Sequence, residues 1–272
     1  MRPDIIDLQA FYGSRQGQLV RRLVGRQIRL LWPELPGARV LGLGYAVPFL
    51  GLLAEAAERV CAIMPPAQGV CPWPPHQPNQ VALATEGELP LPDRSIDRVL
   101  MVHALESAEQ IRPLLREVWR VLVDGGQAMI VVPNRRGLWC LSETTPFGHG
   151  QPFSVAQLKE ALRSMLFAPG PSATALYVPP SRSPLMLRTA VAWERVGGLR
   201  WAQPFAGVLA MTAAKQIYAL PSEPAKARRR KPAYAPAPQT VAAAGRSPRQ
   251  GVRVAVATVG GARTAPARST DC

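Results

Sequence analysis

Two histidines stand where residue type and neighbours allow chemistry. His103 follows an apolar run, Asp97-Arg-Val-Leu-Met-Val102, and precedes Ala-Leu-Glu106. An imidazole titrates near neutral pH, so a histidine at the mouth of a buried strand can take a proton from a substrate. It also fits as an ordinary residue at a loop or helix start. His149 lies in Pro146-Phe-Gly-His-Gly150, where the flanking glycines suggest a mobile loop. A third feature is Arg39-Val-Leu-Gly-Leu-Gly-Tyr-Ala46, an apolar run that ends in glycines. Glycine lets a backbone turn tightly and approach a ligand closely. Metal chemistry finds no such footing. The four cysteines include no Cys-x-x-Cys pair, and His76, His103 and His149 are far apart, so no zinc-type spacing exists. The thiols read as ordinary reduced cysteines.

These residues need elements to hold them. Leu19, Val20, Leu23, Val24, Ile28 and Leu31 recur at helical spacing, with Arg15, Arg21, Arg22, Arg26 and Arg29 mostly off that face. Such a basic amphipathic helix packs against a domain or lies on a polyanion. Strands are expected at 39–43, 59–63, 80–84, 97–102 and 127–132, and helices at 49–58 and 111–123. Asp124-Gly-Gly126 is a turn. Ser154 and Gln157 form a capping-box pattern that opens a helix to about Leu166. A strand at 173–178, a helix at 185–196 and a last strand at 208–214 complete the pattern. Apolar strands alternating with helices imply a doubly wound α/β fold, Rossmann-like and mostly parallel, with helices on both faces. Ligands in such sheets bind beyond the carboxyl ends of the strands. That points to the residues after 43, 63, 84 and 102.

Four ordered stretches resemble the class I S-adenosylmethionine-dependent methyltransferase family of the type 11 kind. They are the glycine bend at 39–46, Leu89-Pro-Leu-Pro-Asp-Arg-Ser-Ile-Asp-Arg-Val-Leu100, His103–Glu106, and Leu115–Gly126 with the strand ending at Val-Pro-Asn134. The resemblance covers 39–134 well and 135–218 loosely. It implies S-adenosylmethionine as cofactor and an unidentified methyl acceptor. It places Gly42, Gly44, Tyr45 and Ala46 beneath the cofactor's methionine part, Met64 at the ribose, and Thr85 and Glu86 at the adenine. Val102 and His103 border the acceptor, and His149 falls in a segment that often lines the acceptor pocket. The pattern departs from the family where carboxylates are expected. Gly42, Met64 and Thr85 occupy those positions, and Ala46 and Pro48 replace later loop glycines. These departures motivate an alternative, a catalytically inactive binding or scaffold protein.

Composition fits one α/β domain with extensions: 272 residues, 47% of them hydrophobic. The expected division is a helical extension at 1–37, a methyltransferase-like domain at 38–221 and a tail at 222–272. The tail is rich in Pro, Ala and Arg, carries +8 of the net +14, and is expected to be disordered because it has few large apolar residues. Its charge suggests weak contact with RNA or another polyanion. Met1–Asp7 carries two acids with no apolar segment after it, which argues against a signal peptide. The most apolar stretch, Pro204–Leu220, is broken by Lys215 and Gln216, so no transmembrane helix is expected. The protein reads as cytoplasmic.

Overall fold

The structure is a computed structural model that describes residues 3–33, 35–181, 183–197 and 205–216. The tail at 222–272 lies outside the described residues. The chain opens with α1 (Ile5–Gly13) and α2 (Arg15–Leu31). It continues through β1 (Arg39–Gly44), α3 (Val47–Ala54), β2 (Arg59–Met64), β3 (Val81–Leu83), β4 (Ile96–Val102), α4 (Ile111–Val121) and β5 (Leu122–Pro133). Two short 3-10 turns, Leu138–Leu141 and Pro146–Gly148, precede α5 (Val155–Ser164). β6 (Phe167–Ala175), α6 (Pro184–Arg188), α7 (Ala190–Gly197) and β7 (Val208–Lys215) finish it.

The strands form one seven-stranded sheet in the order β3-β2-β1-β4-β5-β7-β6. The first five run parallel, and β7 pairs antiparallel with both β5 and β6. This is the doubly wound, mostly parallel sheet expected from the sequence. Strand order reverses between β1 and β4, which is the switch point where such sheets hold ligands.

Each face of the sheet has its own core. On one side Val40, Ala62, Leu100, Met129 and Val131 pack with α1, α2 and α3. On the other Leu41, Leu43, Val99, Met101 and Ile130 pack with α4 and α5. Alternate residues of one strand thus feed opposite layers, as the period of two requires. The arginines of α2 face solvent, and its buried stripe is Leu19, Val20, Val24 and Ile28. The helix therefore packs against the domain, and Gly25 brings it against the Leu52 side chain of α3.

Four local expectations are corrected. The strand expected at 173–178 lies earlier, at Phe167–Ala175. Pro169, Gly170 and Pro171 hid it, but an edge strand tolerates proline, and the register shifts between Pro169 and Ser172. The Asp124-Gly-Gly126 turn is absorbed into β5, because Leu122 already pairs with Ile96 before the register shifts to Arg98–Gln127. The expected helix at 185–196 is split at Thr189, whose hydroxyl donates to the Met186 carbonyl. The expected helix at 49–58 starts at Val47 and stops at Ala54, with Pro48 in its first turn. The capping box at Ser154 and Gln157 forms as expected. Among the described residues, no helix is long and apolar enough to cross a membrane.

Candidate active site

The bend after β1 is built from Gly44 upward. Gly44 has φ +73°, a conformation that penalises a side chain. A Cβ there would sit 2.5 Å from the Val102 carbonyl oxygen and 2.8 Å from the Ala104 Cβ. Tyr45 N–H then donates to that same carbonyl at 2.8 Å. The loop is thus clamped to the end of β4. Gly42 is small for another reason. A Cβ there would meet the Leu50 and Ala46 side chains at 2.9–3.0 Å. The volume in front of Gly42 is already filled from α3.

His103 follows β4 directly. Its φ is +51°, an unusual conformation for a non-glycine residue and one that collects at functional sites. The ring is 1% exposed. Nδ1 lies 3.1 Å from Glu106 Oε1, and Nε2 lies 2.8 Å from the Tyr12 hydroxyl. A carboxylate only accepts, so Nδ1 donates to Glu106 and Nε2 accepts from Tyr12. The Gln68 amide nitrogen reaches the His103 carbonyl at 3.4 Å. Three separate segments therefore converge on one histidine: α1, the stretch after β2, and the stretch after β4.

Rings enclose this polar cluster. Tyr12 packs on Tyr45 at 5.5 Å and edge-on to Phe49 at 5.9 Å. Phe147 covers His103 at 4.9 Å and meets Trp139 at 5.8 Å. Burial drives the Tyr12 phenol well above its ordinary range, with Tyr45 and then Glu106 adding to the effect. Burial, followed by the neighbouring Cys71, pushes Tyr45 up to about 12. Both hydroxyls stay protonated at neutral pH.

The other expected residues fall into two groups. Met64 ends β2 fully buried, and Val102 is buried beside it in the same core. Thr85 and Glu86 line an open cavity of about 390 Å³ with Pro65, Pro66 and Ala67. His149 lies apart from His103 on a separate cavity of about 470 Å³, lined also by Asp7, Phe11, Arg15 and Glu143. Its Nε2 is 3.1 Å from the Glu143 carbonyl oxygen. The flanking glycines allow close backbone approach. Gly148 and Gly150 press against Ser142 and Glu106, and a side chain at either would clash with backbone there. Sequence reasoning missed Tyr12 and Gln68, and treated Glu106 only as part of a pattern. Glu106 carried a signal, three residues after His103 at a strand end. Tyr12 carried none, since nothing local ties α1 to β4.

The resemblance implies S-adenosylmethionine at this switch point, and two observations test the fit. The cavity of about 390 Å³ beside Thr85 and Glu86 is open and has both polar and apolar lining. At the methionine end Gly42, Gly44, Tyr45 and Ala46 are buried, but two acceptors beside His103, Gln68 Oε1 and Glu106 Oε2, have no hydrogen-bond partner among the described residues. Buried acceptors without donors are rare and costly. A donor group at that end would satisfy such an acceptor, and here the Tyr12 hydroxyl holds the His103 Nε2 side of the cluster.

Comparisons with known proteins agree with this architecture. Residues 38–130 match the family model described as a methyltransferase domain. A methyltransferase chain from the Haloferax volcanii complex with the Trm112 methyltransferase activator is 17% identical, with a TM-score of 0.53 over 79% of this chain and 100% of that one. An S-adenosylmethionine-dependent methyltransferase from Archaeoglobus fulgidus is 20% identical, with a TM-score of 0.50 over 76% and 97%. One from Thermotoga maritima is 17% identical, with a TM-score of 0.50 over 78% and 95%. At these identities the likeness speaks for the fold. No curated protein matches the chain by sequence.

Proposed function

We propose that the chain, whose residues 38–130 match the methyltransferase domain model, transfers a methyl group from S-adenosylmethionine to an acceptor that enters beside His149. The cofactor supplies a methyl activated on a sulfonium, and transfer is an in-line displacement. The protein's work is then positioning and exclusion of water. Gly44 and Tyr45 hold the methionine part against the end of β4, and Thr85 and Glu86 hold the adenine. His149 is the group placed to take a proton from an acceptor in the 470 Å³ cavity. His103 is held by Glu106 and lies deeper, so it orients rather than meets the acceptor.

The observation that carries this reading is the Gly44 bend clamped to Val102 at the β1–β4 switch point. Calorimetric titration of the full chain with S-adenosylmethionine and S-adenosylhomocysteine tests it. Micromolar binding supports the reading, and no binding up to millimolar ligand, by the wild type and by Tyr12→Ala alike, sinks it. A second reading, a binding module without catalysis, is favoured by the buried ring cluster of Tyr12, Tyr45, Phe49 and Phe147 over the methionine end. That module would bind no cofactor even with α1 displaced.

A further inference from the structure

The buried cluster beside His103 has more acceptors than donors. Gln68 is 1% exposed and Glu106 3%, yet among the described residues Gln68 Oε1 and Glu106 Oε2 have no hydrogen-bond partner. Both side chains are tied to the same residue, Gln68 through the His103 carbonyl and Glu106 through its ring. Among the described residues, the only cationic-type partner of Glu106 within 4.0 Å is His103. A buried carboxylate with a free oxygen, and an amide oxygen on a side chain bonded to the same histidine, call for a compact cation with several N–H donors. An ammonium group meets that description.

The chain also shows how such a group would arrive. Pro65, Pro66 and Ala67 line the cavity with Thr85 and Glu86, and the next residue, Gln68, reaches His103. Four consecutive residues thus join an open cavity to the buried cluster. A ligand that joined them would need a flat polar head and an ammonium-bearing arm. We propose that Gln68, His103 and Glu106 receive the α-ammonium group of the cofactor, and that the Tyr12 hydroxyl occupies the His103 end of that place in the ligand-free chain. This assignment rests on the methyltransferase reading. It also accounts for the departure at Gly42, since the negative charge absent beneath the methionine part is supplied by Glu106, from the segment after β4.

The test separates the two ends of the ligand. S-adenosylhomocysteine carries the amino-acid arm, and 5′-methylthioadenosine keeps only the adenosine end. Both are titrated calorimetrically into the full wild-type chain, Glu106→Gln and Gln68→Met, with folding checked by thermal melting. Glu106→Gln is expected to weaken S-adenosylhomocysteine about tenfold or more, the worth of a charged hydrogen bond, and to leave methylthioadenosine within about twofold. Gln68→Met is expected to do the same to a smaller extent. In the wild type, the ring nitrogens of His103 followed by NMR shift with S-adenosylhomocysteine and not with methylthioadenosine. Equal weakening of both ligands, or unchanged S-adenosylhomocysteine binding in both variants, overturns the assignment alone. Binding of neither ligand by the wild type and by Tyr12→Ala overturns the methyltransferase reading along with it.

Discussion

A carboxylate at position 42 has nowhere to go. The side chains of Leu50 and Ala46 stand 2.9–3.0 Å from where its Cβ would be, and a packed core resists added volume. Gly42→Asp is therefore expected to cost about 1–3 kcal/mol and to leave S-adenosylhomocysteine affinity no better. Thermal melting and calorimetry on the one variant check both halves, and a tighter-binding, equally stable variant would refute the packing argument. Electrostatics can be tested as cleanly at Glu117. The Arg120 guanidinium holds its carboxyl below the usual carboxylate range, partly offset by burial and aided by the Leu89 N–H. A depressed carboxyl contributes stability above its unfolded value, about 4.3, and loses it as pH falls through its folded value. The melting-temperature gap between wild type and Glu117→Gln should be widest near neutrality and close as pH drops from about 5 towards 3.

Elements differ in how firmly they are held, and that difference tracks what the sequence disclosed. β4, α4 and β5 announced themselves by apolar runs and helical spacing, because each buries a continuous face. α5 announced its start by the Ser154 box, which satisfies Ser154 and Gln157 N–H reciprocally. Ser154→Ala should cost about 1 kcal/mol, seen as a shifted denaturant midpoint with unchanged slope. α1 is another case. Its buried side chains are Leu8 and Tyr12, while Ile6 is 71% exposed. Its place over β4 comes from long-range packing that no local pattern encodes, so the site it completes was illegible. A short helix held by Leu8 and Tyr12, with Ile5 and Phe11 half-covered, opens locally more readily than the sheet. Hydrogen exchange at residues 5–13 is expected to outpace that of β4 and β5. Leu8→Ala should speed it further with little change in the global melting temperature. A drop of several degrees instead would mean that α1 is part of the cooperative core.

At the scale of the molecule, strand order was readable because parallel strands joined by helices admit few arrangements, and each strand here is a short apolar run between turn residues. The site was half readable for the same reason. Topology puts Gly44, Met64, Thr85 and His103 at one end of the sheet whatever their side chains do, whereas the chemistry depends on what lies over them, which Tyr12 and Phe147 decide. Charge is a molecular property that needs no fold to predict. Ten Lys and Arg against Glu223 and Asp271 give 222–272 a net +8. If that charge governs association with polyanions, binding of the full chain to a mixed-sequence RNA should fall steeply with salt, by counterion release. Removing 222–272 should flatten the slope of log K against log salt by several units, because fewer phosphates are neutralised. An unchanged slope would move the binding surface to the exposed arginines of α2. Arg21→Gln with Arg22→Gln would then be the pair that lowers the slope, by about 0.7 for each phosphate of a single strand that is no longer neutralised.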